Sequence, residues 1–416
     1  MFTAGEDLGS ETSSLDNDIF FEVLKRVDPV TLATVSCANS EIRKLSEDEV
    51  LWEKFCNERW PSTKDPSVRA LINEVGGFRK LYAKCYPLII SNEHLAVRDV
   101  HGYGMDGSED DKGGEEGFQF SPSDLISLVD VVHGEKCIFT KTIHGIPEAD
   151  AFPRWFSSSP FRIDLLRSPE EEDERGQEEQ APVMIAHGLP SIVSFDRERK
   201  HGKFWKALLD DVRVSWITIN KRTKEMASLS SWRPLGGSQQ WPRDGDFLVR
   251  FGSVLPSHRS CFCSTVHCNI VMKCRLINTD VGETVNLKLR LTELSLQLQD
   301  MGGVHMHVNG KESLVILRTA LRCPRSRLHE EVLSSYNQYL KVHTERKERK
   351  TQQEGRLDTA VIVSGTGVFM FICSFIIWLV PKLRASGPAN SGSRASVHPL
   401  LLEGIKGALI QSLLLP

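Results

Sequence analysis

The side chains best suited to metal or nucleophilic chemistry gather in one stretch: Cys261-Phe262-Cys263, His267-Cys268 and Cys274. Thiolates and imidazoles at close spacing are what zinc takes, yet structural zinc sites usually pair their cysteines in C-x2-C knuckles. Here the spacing is C-x-C-x3-H-C-x5-C. Cys268, Ile270, Met272, Cys274 and Leu276 alternate with Asn269, Lys273 and Arg275, which reads as a strand with cysteine on its buried face. His305 and His307 share one strand face, with no third ligand or carboxylate cluster nearby in sequence. Cys37 and Cys56 sit in helical segments as small buried side chains. The chain has no GxSxG, HExxH or Walker-type motif, and the glycines at 252 and 302–303 read as strand ends or turns. No catalytic residue, metal ligand or cofactor is expected.

Tryptophan carries the other candidate chemistry. Trp155, Trp205, Trp216, Trp232 and Trp241 all fall in or beside a β-rich region. Trp216 occupies a strand interior and is expected in the core. Trp232 and Trp241 flank the loop RPLGGSQQ, where an aromatic side chain can anchor a partner, so both are candidate substrate-binding residues.

These side chains need a scaffold. The chain has 416 residues, 51 basic against 55 acidic side chains, and a net charge of −4. That balance argues against a mainly electrostatic nucleic-acid binder. Ten scattered cysteines do not make a disulfide scaffold, and the acidic N-terminus has no apolar signal region. A reducing, cytosol-facing location is expected. Residues 1–14 read as disordered, 15–60 as three short helices, 61–100 as a helical extension and 101–120 as an acidic, Gly-rich linker. From 121 to 326 the period becomes two, and strands are expected at 125–133, 136–144, 211–220, 246–255, 267–276, 285–300 and 305–321. The acidic run 168–180 reads as a surface loop. Strands at this spacing imply an antiparallel sandwich or barrel. A charged helix follows over 327–358.

From Thr359 to Val380 no side chain is charged. As a helix this segment would reach about 33 Å, enough for the roughly 30 Å hydrocarbon core of a bilayer. Lys341, Arg346, Lys347, Arg349, Lys350 and Arg356 precede it, against Lys382, Arg384 and Arg394 after it. That excess places the N-terminal part in the cytosol. The tail, 381–416, begins Ser/Gly-rich and ends in an apolar stretch that Glu403 and Lys406 interrupt, so it is not expected to span.

The N-terminal helices are unusually apolar. Ile19, Phe20, Val23, Leu24 and Val27 recur at helical spacing, with Asp16 as a cap. Asp28-Pro29 ends this helix and begins the next, which aligns Leu32, Val35, Ile42 and Leu45. Ser46 and Glu49 have capping-box spacing ahead of Leu51, Trp52 and Phe55. About 45 residues make a marginal core alone, so the surplus apolar face should meet a partner.

Leu15, Asp28-Pro29, Leu32, Ser36-Cys37, Leu45, Leu51-Trp52 and Phe55-Cys56 together resemble an F-box. Asp16 stands where a proline is usual, and Ile42-Arg43 where Trp-Arg is usual. The runs LWEKFCNERWPS (51–62), WFSSSPFRIDLL (155–166), VSWITINKRTKEMASLSSWRPL (214–235) and LTELSLQLQDMGGVHMHVNGKESLVIL (291–317) resemble a plant F-box family with a β-rich region and, in some members, a C-terminal anchor. The resemblance implies docking on the Skp-type adaptor of a cullin–RING ubiquitin ligase through Leu15, Ile19, Phe20, Leu24, Val27, Pro29, Leu32, Val35, Leu45, Leu51 and Trp52. It implies a non-enzymatic receptor for an unknown protein substrate. The expected fold is α+β: a three-helix F-box, a β-rich antiparallel sandwich or barrel, then a helix and one transmembrane helix through 359–380, in a membrane such as the endoplasmic reticulum. The alternative is a membrane-anchored lectin-like or lipid-facing β module with a helical cap and no ligase role.

Overall fold

The computed structural model describes residues 19–37, 40–90, 121–146, 149, 151–166, 183–184, 208–239, 246–257, 265–281, 284–300 and 307–385. The chain divides into two compact units, Met1–Lys347 and Glu348–Pro416.

Helices open the first unit: α1 (19–24), α2 (Pro29–Val35), α3 (Ser40–Ser46), α4 (Glu49–Arg59), α5 (Pro66–Val75) and α6 (Gly77–Cys85). Asp28 caps α2 by accepting from Val30 N and Thr31 N, each at 3.0 Å, with Pro29 filling the first helical position. The single helix expected from Val30 to Leu45 is two. Ser36 lies at the break, and its hydroxyl donates to Ala33 O at 2.7 Å, a local bond of the kind that competes with helical hydrogen bonding. Arg43 Nε donates to Ser36 O at 3.2 Å, serving a carbonyl left open at the end of α2. The expected Ser46–Glu49 capping box is also absent. Asp48 caps α4, accepting from Val50 N at 2.8 Å, while the Glu49 carboxylate accepts from Phe78 N at 2.6 Å and so caps α6. That contact requires Gly77, whose φ is +86° and whose Cβ would collide with Glu49 Oε1.

A four-stranded sheet follows, in the order β3 (Lys136–His144), β2 (Leu125–His133), β6 (Val212–Asn220) and β7 (Glu225–Ser228). A second sheet runs β4 (Arg162–Leu166), β11 (Thr284–Gln299), β10 (Thr265–Val281), β9 (Asp246–Pro256) and β8 (Gly236–Gln239), with β5 (Val183–Met184) also on β11. The short β1 (Leu88–Ile89) pairs with β12 (Arg325–Ser326). Every described strand pairing is antiparallel.

Strand alternation decides what each face meets. Val129, Val131, Val214 and Trp216 of the first sheet share a core with Val249, Phe251, Cys268, Ile270, Met272, Leu294 and Leu296 of the second. Ile126, Leu128, Ile217, Ile219 and Met226, on the opposite face, pack against Leu51, Phe55, Trp60, Ile72, Phe78 and Leu81 of the helical region. The four-stranded sheet is the middle layer.

Three expectations change here. The segment expected as a strand over 305–321 contains a helix, α8 (Gly310–Ala320), capped by Asn309, whose Oδ1 accepts from Glu312 N at 2.9 Å. Its buried Ser313, Ile316, Leu317 and Ala320 follow helical spacing. A short helix, α7 (Pro153–Ser158), also lies within the β-rich region. Gly252 is not at a strand end but inside β9, with φ +141° where a Cβ would strike the Cys268 carbonyl.

The last described element is α9 (His329–Ala385). Within the first unit, its Tyr336 and Tyr339 pack with Val254 of β9. Within the second, Val361, Phe371 and Ile377 are exposed, and the helix is long and apolar enough to cross a membrane by length and composition.

Candidate functional site

The apolar side chains of α1–α4 divide into two sets. Leu24, Leu32, Leu51 and Trp52 are buried inside the helical layer, and Trp52 Nε1 donates to Ser46 O at 2.7 Å. Val27, Pro29, Val35 and Leu45 are half-buried. Ile19 (57 % exposed), Phe20 (50 %), Val23 (53 %) and Val50 (58 %) face water. Leu15 lies outside the described residues. Thus α5, α6 and the β2–β6–β7 face absorb most of the surplus apolar surface, and what remains for a partner is centred on α1. Ile19 and Val23 stand one turn apart on this short helix, with Phe20 beside them.

Polar contacts ring this patch. Lys54 Nζ donates to Lys25 O at 2.7 Å, tying α4 to the turn after α1. Asp28 accepts from the Thr31 hydroxyl and from two backbone N–H groups, which hold its carboxyl below the ordinary range. Nothing in this arrangement supplies a nucleophile with a base.

Two contacts mount the helical layer on the β region. Asp130, the one carboxylate in β2, accepts from Ser62 N and Ser62 Oγ at 2.7 Å each and from Thr140 Oγ1 at 2.9 Å. Burial raises the pKa of this carboxyl despite those three donors. The Arg59 guanidinium lies 4.6 Å from the ring centroid of Tyr86 and 4.1 Å from that of Trp232. Trp232, half-buried with φ +64°, therefore carries an arginine of the helical layer on its ring. Trp241 lies outside the described residues. No local sequence signal marks the Arg59 contact; for Asp130 the signal is a lone carboxylate in LISLVDVVH.

Cys268 and Cys274 are free and buried, and desolvation pushes both thiols well up. Cys56 is likewise buried and raised, while Cys37 is exposed. His267 is buried against the rings of Tyr336 and Tyr339, at 5.1 and 5.5 Å between centroids. Desolvation, with Arg250 nearby, lowers its pKa to about 3, so the imidazole is neutral. His307 is exposed; Cys261, Cys263 and His305 lie outside the described residues. Among the described residues no group of three or more His, Cys, Asp or Glu could hold a metal ion. Trp216 is fully buried in the sandwich core.

The chain is similar to plant F-box proteins. It is 26 % identical over 374 residues to F-box protein At2g27310 of Arabidopsis thaliana, covering 89 % of this chain and 97 % of that one. Probable F-box protein At2g36090 of the same plant is 26 % identical over 367 residues, 87 % of this chain and 92 % of that one. F-box protein GID2 of Oryza sativa subsp. japonica is 39 % identical over 82 residues, 19 % of this chain and 39 % of its own. No family model and no solved structure matches the chain.

Proposed function

We propose that this protein is a substrate-recognition subunit of an SCF-type ubiquitin ligase, tethered to a membrane by residues 359–380 with its N-terminal part in the cytosol. The observation that carries the reading is the α1 patch. Ile19, Phe20 and Val23 stay in water while Leu24, Leu32, Leu51 and Trp52 beside them are buried, and similarity to plant F-box proteins extends over most of the chain. In this role the protein performs no chemistry. The helical layer holds the Skp-type adaptor, and through it the cullin–RING assembly. The β region holds the target, and ubiquitin transfer is accelerated because both are kept at high effective concentration. A rigid joint at Asp130–Ser62 and Arg59–Trp232 suits that task, since it fixes the distance between the two.

Because the patch residues are exposed, replacing them leaves the core intact. Phe20→Glu with Val23→Glu should abolish co-purification of the Skp-type adaptor from a soluble or detergent-solubilised full-length chain that still unfolds at the wild-type denaturant midpoint. Unchanged adaptor recovery from that folded variant would overturn the reading. The tether rests on the exposed apolar length of α9 and on the basic excess before Thr359.

A further inference from the structure

Arg59 ends α4 at the seam between the helical layer and the four-stranded sheet, and its charge is unanswered. The guanidinium is half-buried among three rings, 4.1 Å from the centroid of Trp232, 4.6 Å from that of Tyr86 and 5.8 Å from that of Trp60. Its Nε is buried and has no hydrogen-bond partner. Burial draws the guanidinium's pKa down, and the groups that oppose this are Tyr82, Tyr86 and Cys56. None of them is a carboxylate. By contrast, the exposed Arg69, Arg79 and Arg322 pair with Glu53, Glu47 and Glu225. A cation that has lost part of its water without gaining a counter-charge is costly, and an incoming anion relieves that cost.

The rings hold this cation without neutralising it. Contact with an aromatic face leaves the N–H groups of the fork available, and a planar fork matches two oxygens of one carboxylate or phosphate. Among the described residues none accepts a hydrogen bond from the guanidinium. Tyr86 is fixed by stacking on Tyr82, with centroids 4.9 Å apart and planes at 15°. Trp232 is held at φ +64°, and its carbonyl accepts from Val214 N at 3.2 Å. Strained residues gather where ligands are clamped. Tyr86 and Trp232 are both half-buried, and each carries a donor of its own, a phenol O–H and an indole N–H.

From this geometry we propose that Arg59 binds an anion, and that the seam it shares with Tyr86 and Trp232 takes an acidic side chain, carboxylate or phosphorylated, from an exposed segment of the recruited protein. This deepens the ligase reading and rests on it. Arg59 meets two oxygens of the acid, and the two half-buried rings cover apolar atoms of the segment beside it. The chain's net charge of −4 repels acidic peptides as a whole, so their retention reports a local site.

The test uses the full-length chain, detergent-solubilised and immobilised, at physiological salt. It is offered mixed hexapeptide pools with one central position fixed as Glu, phosphoserine, Gln or Lys. Retention of the Glu- or phosphoserine-fixed pools over the Gln- and Lys-fixed ones is expected, and the two acidic arms tell which acid the site takes. Arg59→Met keeps an unbranched stem against the rings and removes the charge. It should lower retention at least about tenfold, the loss a truncated interface anchor shows. The denaturation midpoint should hold, because an unpaired cation leaves with the substitution. If Arg59→Met does not fold, Arg59→Lys decides: it keeps a charge on a long stem but not the fork, and should lose most of the retention. No preference for acidic pools, or a preference that survives these substitutions, overturns the proposal. Displacement by inorganic phosphate at the peptides' own concentration also overturns it, since the site then takes the free ion. Adaptor recovery is measured on the same samples. If acidic pools are held through Arg59 but no adaptor is recovered, the site stands and the ligase reading falls.

Discussion

Ser62 donates to both oxygens of Asp130, its N–H to Oδ1 and its hydroxyl to Oδ2, each at 2.7 Å, across 68 residues of chain. The contact locks the turn Pro61–Lys64, at the end of α4, onto the face of β2. A buried carboxylate with three donors is tolerated only because all three are in place.

Asp130→Ala leaves the Ser62 N–H and two hydroxyls without their acceptor, at about 1–3 kcal/mol for each buried group left unpaired. The variant should unfold at a clearly lower denaturant concentration. Asp130→Asn keeps an acceptor for the Ser62 N–H and should lose far less. Equal losses would mean that the carboxylate's hydrogen bonds are not what joins the layers.

Two buried groups respond to pH in opposite directions. Burial raises the Asp130 pKa above its ordinary value, so its contribution to stability is fully present below the ordinary carboxylate range and is lost as pH rises through the raised value. His267 is lowered from 6.5 to about 3; its contribution is fully present above 6.5 and is lost as pH falls toward 3. Between pH 6 and 4 the histidine should therefore weaken the first unit on acidification. His267→Gln should flatten that fall in denaturation midpoints measured across the window. An undiminished slope in the variant would exclude His267 as its source.

Trp232 is held at φ +64°, a conformation that costs an L-residue and that glycine adopts freely. Its ring lies against Arg59, itself half-buried with its buried Nε unpartnered. Trp232→Ala should destabilise the layer joint by about 2–4 kcal/mol, as loss of a packed aromatic does. Trp232→Gly removes the same ring but relieves the backbone, so it should be no less stable than the alanine variant. Chemical denaturation of the pair decides whether the strain is real: a glycine variant clearly below alanine would argue against it.

What the sequence revealed and what it concealed follow the range of the interactions. The start of α2 was legible because Asp28-Pro29 is a local signal, and the buried face of β10 because Cys268, Ile270, Met272 and Cys274 alternate at strand period. The α8 segment was misread because Asn309-Gly310 resembles a hairpin turn, whereas Asn309 acts as a helix cap. Apolar spacing picked out both Ile19 and Leu32, but not that one is exposed and the other fully buried. That division depends on α5, α6 and a sheet face more than 90 residues away. The Arg162–Glu293 ion pair was invisible for the same reason: the two become neighbours only through the pairing of β4 with β11.

The exposed apolar length of α9 yields the last prediction. Deleting residues 359–380 should move the chain from a carbonate-resistant membrane pellet to the soluble fraction, while the first unit keeps its denaturation midpoint and its adaptor. A milder change should act in the same direction. Phe371 is 73 % exposed and lies near the middle of the segment, where an arginine costs about 2.5–3.5 kcal/mol of insertion free energy. Phe371→Arg should therefore raise the carbonate-extractable fraction, whereas Phe371→Leu should not. If the deleted chain still sediments after high-salt and carbonate washes, the attachment lies elsewhere in the protein and α9 is not the anchor.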